Sequence, residues 1–133
     1  MNPNYTFVAE RASHRCEYCR APESVFNSRF EVEHIWPQAH GGTDSYANLA
    51  LACRACNGFK LAFTEGVDSE TGERAPLFHP RQDRWEEHFA FDPATRRIRG
   101  RTPTGRVTVT RLHLNEDYQV EARARWATLD LFP

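Results

Sequence analysis

Apolar and polar residues alternate along residues 26–34, and this period of two predicts a β-strand. Val32 and His34 would share one face of that strand. The apolar run at 49–52 predicts a second short strand, and a helix is predicted from about residue 54 to residue 63. The centre of the chain is therefore expected to be a strand–loop–strand unit followed directly by a helix.

The flanking segments show weaker patterns. Residues 4–14 predict a short helix with Asn4 as a possible N-cap. Residues 64–76 are polar and predict an exposed acidic loop. A helix is predicted over about 81–88, followed by a strand and a second short strand that pairs back on it. Residues 105–115 fit both a strand, from their β-branched residues, and a helix, from their spacing.

The end of the chain predicts a final helix. Asn115 is the expected N-cap. Apolar side chains then recur at helical spacing as Tyr118, Ala122, Trp126 and Leu129. We expect this stripe to face the core, with no chemistry of its own.

The size and composition indicate one compact globular domain. The chain has 133 residues, of which 40% are apolar and 26% are charged. Because such a core is small, a bound metal would add to its stability. No apolar run approaches the roughly 18–20 residues of a membrane span, and the first residues lack a secretory signal pattern. We therefore expect a cytoplasmic protein that does not bind membranes.

The four cysteines form two Cys-x-x-Cys pairs, Cys16 with Cys19 and Cys53 with Cys56. In a reducing compartment such pairs indicate a zinc site with four thiolate ligands. The pairs lie farther apart than the roughly 12–20 residues of an ordinary zinc finger. A shared zinc ion would therefore clip together the two ends of the strand–loop–strand unit. A disulfide framework and unliganded thiols are the alternatives.

The charges are unevenly distributed. The net charge is −1, which does not by itself indicate a nucleic-acid-binding protein. Residues 93–115, however, contain no Asp or Glu and carry six arginines: Arg96, Arg97, Arg99, Arg101, Arg106 and Arg111. This run is compatible with a phosphate-binding surface and equally with a solvated face balanced by acids elsewhere.

Glu33 and His34 combine two kinds of chemistry at the end of the first predicted strand. A carboxylate is a hard oxygen ligand suited to Mg²⁺ or Mn²⁺. A histidine can take a proton from water near neutral pH. Since adjacent residues of a regular strand point to opposite faces, both reach one phosphate only if the strand ends or bulges here. Pro37, three residues after His34, favours such an end.

Three further residues fit this chemistry. Asn48, at the start of the second strand, can hold the loop and the imidazole ring of His34. Asn57 follows Cys56 directly, and its side-chain oxygen can serve as a metal ligand. Lys60 lies on about the same helix face and can contact a phosphate. Taken singly, each asparagine also fits a purely structural role.

In combination these motifs are more specific. The chain reads EHI-x-P, then GG, then NL, then C-x-x-CN-x-x-K, with a second C-x-x-C upstream. This order resembles the HNH endonuclease family and looks like its subgroup with a ββα-metal core stapled by four cysteines. The resemblance covers about residues 5–63. It implies cleavage of nucleic acid, usually DNA, with one divalent metal ion and a 3′-hydroxyl product.

The resemblance also implies roles for single residues. His34 would be the general base, Asn48 the middle residue of the motif, and Asn57 the replacement for its final histidine. Glu33 and Asn57 would bind the catalytic Mg²⁺ or Mn²⁺. Leu61 stands where some members carry a further histidine, so water and phosphate would complete the metal shell.

We therefore expect an α+β protein: a ββα-metal nuclease core with a four-cysteine zinc site at 1–63, an exposed acidic loop at 64–76, and an α/β C-terminal extension at 77–133 packed on the core. Nucleic-acid contacts are assigned to Lys60, Arg96, Arg97, Arg99 and Arg101. The expected function is a metal-dependent endonuclease that acts on double-stranded DNA. A catalytically inactive zinc-stapled nucleic-acid-binding module is the alternative. Cutting both strands with one site per chain would favour a homodimer.

Overall fold

A computed structural model describes residues 1–133 and contains five α-helices and three two-stranded antiparallel sheets. The predicted α+β class is confirmed. The helices are α1 (Tyr5–Arg11), α2 (Arg54–Lys60), α3 (Trp85–His88), α4 (Pro103–Arg111) and α5 (Asp117–Thr128). The strands are β1 (Glu31–His34), β2 (Leu49–Ala52), β3 (Glu65–Val67), β4 (Arg74–Pro76), β5 (Phe89–Phe91) and β6 (Ile98–Gly100). None of these helices combines the length and apolarity that crossing a bilayer requires.

The β1–β2 hairpin and α2 form the predicted ββα unit. In the hairpin His34 pairs with Leu49, and Glu31 pairs with Ala52. Strand β2 is buried along its whole length, because both α1 and α2 pack against the hairpin. The Cys53 side chain accepts a hydrogen bond from the Cys56 N–H, so the second Cys-x-x-Cys pair also caps α2.

Two glycines set the course of the loop between β1 and β2. Gly41 has a φ of +87°, which favours glycine because it has no Cβ. A Cβ on Gly42 would lie 1.8 Å from the Trp36 carbonyl oxygen. Only a glycine therefore allows the loop backbone to lie this close to Trp36. The Gly-Gly step therefore folds the loop back towards the end of β1.

A continuous core joins the two halves of the chain. One cluster of 23 buried residues includes Val8 of α1, Leu51 of β2, Phe89 of β5 and Leu112, just after α4. The C-terminal segment therefore packs on the ββα unit through apolar contacts. The division at residues 63 and 76 remains a prediction.

The segment predicted as an exposed acidic loop at 64–76 is mostly exposed but contains regular structure. Strands β3 and β4 form a hairpin there, and the Asp68 side chain is fully buried. Arg106 donates two hydrogen bonds of 2.9 Å to the two carboxylate oxygens of Asp68. This bidentate pair explains how an acid from a polar segment is buried.

Residues 103–111 are helical, which decides the ambiguous pattern there. The Thr102 hydroxyl accepts a hydrogen bond from the Gly105 N–H, and Pro103 occupies the first turn. A capping threonine followed by proline is a helix-start signal, and it outweighs the β-branched residues that follow.

The predictions for the last helix are wrong in two respects. Its N-cap is Glu116, because the Asn115 side chain bonds both the N–H and the carbonyl of Ile98. The apolar stripe faces the core only in part: Trp126 packs against it, whereas Tyr118 is 54% exposed and Leu129 is 65% exposed. Gln119 and Arg123 are buried instead.

Arg123 explains why the buried face of α5 differs from the apolar stripe. Its guanidinium donates to the carbonyl oxygens of Leu114 and Arg96 and to the Asn115 side chain. Burial lowers the pKa of Arg123. A buried charge is tolerated when its donors are satisfied, and a pattern of hydrophobicity does not reveal such a residue.

Candidate functional site

The four cysteine thiols form a compact cluster at the start of α2. The cluster consists of Cys16, Cys19, Cys53 and Cys56, which are all buried and whose sulfur atoms lie within 4.8 Å of one another. The Cys19 and Cys53 sulfur atoms are 3.8 Å apart. Four thiolates about 2.3 Å from a tetrahedral zinc ion are about 3.8 Å from each other. The cluster therefore fits one metal ion such as zinc.

The thiol cluster is held in place by the backbone around it. Glu17, between the first two cysteines, donates its N–H to the Leu51 carbonyl and accepts the Leu51 N–H on its carboxylate. Contacts with the neighbouring thiols, above all Cys16, lower the pKa of Cys53. A cysteine must lose its thiol proton to bind a metal ion, and the lowered pKa of Cys53 favours this.

The end of β1 carries a histidine–carboxylate pair. His34 Nε2 lies 2.7 Å from Asp44 Oδ1, which comes from the loop beyond Gly42. The His34 side chain is 21% exposed and that of Asp44 is 75% exposed, so the pair lies open to solvent. Asp44 was not among the residues that the sequence predicted for the site. A signal for this residue was available in the sequence, since an acidic residue shortly after the Gly-Gly turn can reach the end of β1.

Asn48 braces the loop that carries Asp44. Its side-chain oxygen accepts the Trp36 N–H at 2.8 Å, and its amide donates to the carbonyls of Trp36 and Thr43 at 3.0 and 2.9 Å. This agrees with the predicted contact across the loop. The imidazole of His34, however, is held by Asp44 and not by Asn48. Asn48 acts on Asp44 through the backbone of the preceding residue.

Glu33 is buried against the side of α2. It pairs with Lys60, with 3.0 Å between Oε2 and Nζ, and accepts a hydrogen bond from the Tyr18 hydroxyl. Burial raises the pKa of Glu33, and the Lys60 ammonium only partly offsets this effect. The carboxylate predicted as a metal ligand therefore faces protein groups and not solvent.

Lys60 is also buried, which corrects its assignment as a phosphate contact. Its side chain is 2% exposed. Besides Glu33, the ammonium donates to the carbonyl oxygens of His34 and Ile35 at 3.2 and 3.0 Å. Since an ammonium has three donors, none remains for a phosphate. Lys60 instead fixes the backbone on which His34 is mounted.

Asn57 contacts a different acid from the predicted one. Its amide donates to the carboxylate of Glu31, and both side chains are partly exposed. Residues 31 and 33 share a face of the strand, and residues 57 and 60 share a face of the helix. The two faces therefore meet as two pairs, Glu31 with Asn57 and Glu33 with Lys60.

The Glu31–Asn57 pair has the donor chemistry of a site for a hard cation. A carboxylate oxygen and an amide oxygen are the ligands that Mg²⁺ and Mn²⁺ accept. Apart from the four cysteines, no three His, Cys, Asp or Glu side chains lie close enough together to bind one metal ion. A second metal ion would thus have two protein ligands and would take its remaining ligands from water and substrate.

The arginine run separates into free and engaged side chains. Arg97 and Arg99 are exposed and have no acidic partner within ion-pair distance. Arg106 is bound to Asp68, Arg101 donates to the Glu86 carbonyl, and the Arg111 guanidinium lies 4.1 Å from the centre of the Phe63 ring. Arg96 is partly buried.

Comparison with known proteins identifies the central part of the chain. Residues 16–61 match the family model described as HNH endonuclease. The match includes both Cys-x-x-Cys pairs, the β1–β2 hairpin and α2. Neither the curated proteins nor the solved structures yielded a match to this chain.

Proposed function

We propose that this protein is a metal-dependent endonuclease that hydrolyses phosphodiester bonds, with DNA as its substrate, because residues 16–61 match the HNH endonuclease family model. The observation that supports catalysis most directly is the contact of 2.7 Å between His34 and Asp44. It holds an imidazole at the open end of β1. An inactive binding module has no need of an oriented histidine at that position.

His34 acts as the general base in this proposal. When Asp44 accepts the Nε2–H, the neutral ring keeps an unprotonated Nδ1, which has no protein partner. Nδ1 can then take a proton from the water that attacks phosphorus. Asp44 keeps the ring in the required tautomer and orientation, while Lys60 and Asn48 hold the backbone on either side of the pair.

Asn57 and a carboxylate of β1 would hold the catalytic Mg²⁺ or Mn²⁺. When bound, this ion would offset negative charge on the phosphate and on the leaving 3′ oxygen. Glu31 is favoured as this carboxylate because it contacts Asn57 and is partly exposed. Nearness to His34 favours Glu33, which adjoins it in the chain, whereas Glu31 lies about 10 Å away along the strand. The resemblance to the family also favours Glu33.

The four cysteines hold a structural zinc ion in this proposal. All four thiols are buried, so the site has no open position for substrate. Zinc would join the segment before β1 to the start of α2. The hairpin with His34 and the helix with Asn57 would thereby keep their relative position.

Arg97 and Arg99 are the proposed phosphate contacts outside the ββα unit. They are exposed and free of acidic partners, unlike Arg106. Free guanidinium groups supply the salt-dependent, sequence-independent part of DNA binding. Arg101 and Arg96 have weaker support, because Arg101 donates to the Glu86 carbonyl and Arg96 is partly buried.

Nicking of supercoiled plasmid in Mg²⁺ or Mn²⁺ tests the proposed function. Wild type should cut, and His34→Ala should cut about 10²–10⁴-fold more slowly, the usual contribution of a general base. His113→Ala is the matched control, because His113 makes a similar contact of 2.7 Å with Glu116 outside the family match. Binding without cutting in any divalent metal would favour the inactive module.

A further inference from the structure

A cavity of about 580 Å³ is lined by residues that adjoin His34 and Asp44 in the chain. We call it the loop cavity. Its lining includes Ile35 and Trp36, which follow His34, and Thr43 and Ser45, which flank Asp44. Its volume lies in the range of pockets that bind small organic groups.

Another part of the lining of the loop cavity comes from outside the family match. Thr64, His79 and Gln82 line it there, and all three follow residue 61. The segment after α2 thus places additional side chains against the proposed catalytic loop. These additional side chains can help to select the substrate, while the matched segment contains the proposed catalytic residues.

Trp36 provides a flat stacking surface at the cavity. Its ring is 50% exposed, and its Nε1–H donates to the His40 carbonyl at 2.9 Å. The ring is thus oriented while much of its surface stays open. Aromatic rings in this situation stack on nucleobases without regard to sequence.

The lining residues from outside the family match provide hydrogen-bonding groups at the same cavity. His79 Nδ1 accepts the N–H groups of Arg81 and Gln82, both at 3.2 Å, so Nε2 carries the ring proton and is a donor. Burial lowers the pKa of His79, which keeps the ring neutral. The Gln82 amide and the Thr64 hydroxyl have no side-chain hydrogen bond within the protein. These groups complement the polar edge of a planar base.

We propose that the loop cavity binds one unpaired nucleobase of the DNA substrate, next to the phosphate that is cut. A base inside a duplex is stacked and paired and cannot enter such a cavity. The enzyme should therefore prefer single-stranded or locally opened DNA over a perfect duplex. This inference rests on the proposed nuclease function and specifies its substrate.

Cleavage of three oligonucleotide substrates of one sequence tests the inference: a perfect duplex, a duplex with a central mismatched bubble, and the single strand. Wild type should cut the bubble and the single strand at least about fivefold faster than the duplex, the lower end of the effect of stacking one base. Trp36→Ala should remove this preference, and Trp36→Phe should retain most of it. Tyr118→Ala, which removes an exposed aromatic ring from α5, should leave the preference unchanged.

Gln82→Ala provides a second test, because this exposed side chain can be removed without loss of a protein contact. It should reduce cutting of the bubble and leave the perfect duplex unaffected. Equal rates on duplex and bubble for wild type would overturn the inference alone. So would an equal loss on both substrates in Trp36→Ala and Gln82→Ala. Failure of wild type to cut plasmid and every oligonucleotide would contradict the proposed nuclease function itself.

Discussion

The thiol cluster and the His34–Asn57 region lie on the same ββα unit and differ in how complete they are. The four thiols are buried and close enough to share one ion with no further ligand. The other region offers three separate side-chain pairs, His34–Asp44, Glu33–Lys60 and Glu31–Asn57. A structural site is closed by the protein alone, whereas a hydrolytic site leaves positions for water and substrate. We therefore propose that the thiols hold a structural metal ion and that the open region carries out hydrolysis.

The largest expected effect comes from breaking the thiol cluster. Cys53→Ser should abolish cooperative thermal unfolding and nicking together, because binding of a structural zinc ion is coupled to folding. Circular dichroism and elemental analysis measure this, with about one zinc per chain expected in wild type. Ser45→Ala, an exposed loop substitution, should keep both zinc and fold. A metal-free wild-type protein with an unchanged melting transition would refute the structural role.

Asp44→Asn tests the open region without removing the base. An amide in place of the carboxylate weakens control of the tautomer of His34, so kcat should fall by about 10–100-fold, the range for residues that orient a working histidine. Zinc content and melting temperature should not change, because Asp44 is exposed. Glu116→Gln makes the same exchange at the His113 pair and should have no effect on kcat. Equal rates for Asp44→Asn and wild type would leave His34 unsupported as the oriented base.

The two acids of β1 separate the metal-binding role from the structural role. Glu33→Gln leaves the Lys60 ammonium buried without its counter-ion, so it should destabilise the fold by about 3–5 kcal/mol. Glu31→Gln should leave stability nearly unchanged and should raise the Mg²⁺ concentration needed for half-maximal nicking. Urea unfolding and a Mg²⁺ titration distinguish the two effects. A raised Mg²⁺ requirement in Glu33→Gln alone would assign the metal to Glu33.

The smallest effect is expected at the arginines. Arg97→Ala and Arg99→Ala should each weaken DNA binding and should lower the slope of log K against log salt by about 1. Arg111→Ala serves as the control, since its guanidinium lies against Phe63. Fluorescence anisotropy at several salt concentrations measures the slope. An unchanged slope in both variants would show that these arginines form a solvated surface that does not contact DNA.

The ββα unit could be predicted because its signals are local. A short stretch of sequence is enough to recognise each of its features: the alternating residues of β1, the paired cysteines and the helix start at Cys53. The HNH resemblance was confirmed for the same reason, since its motif lies within one continuous stretch. The hairpin β5–β6 was also predicted correctly from its turn and strands.

The missed features depend on register and on tertiary contacts. The choice between Glu31 and Glu33 as partner of Asn57 follows from how α2 sits on β1. The contact of Asp44 with His34 requires the loop path that Gly42 allows. Lys60 was assigned wrongly and the burial of Arg123 was not predicted for one physical reason: a charged side chain can be buried when backbone carbonyls accept its donors.

The claim that this chain has two metal centres with different roles is tested most directly by adding the metals separately. Wild-type protein would be loaded with one equivalent of zinc, freed of other ions, and assayed on supercoiled plasmid before and after addition of Mg²⁺. We predict a folded protein that does not cut with zinc alone and cuts when Mg²⁺ is added, with its zinc content unchanged. Cutting by the zinc-loaded protein without Mg²⁺, or loss of zinc on activation, would contradict the account.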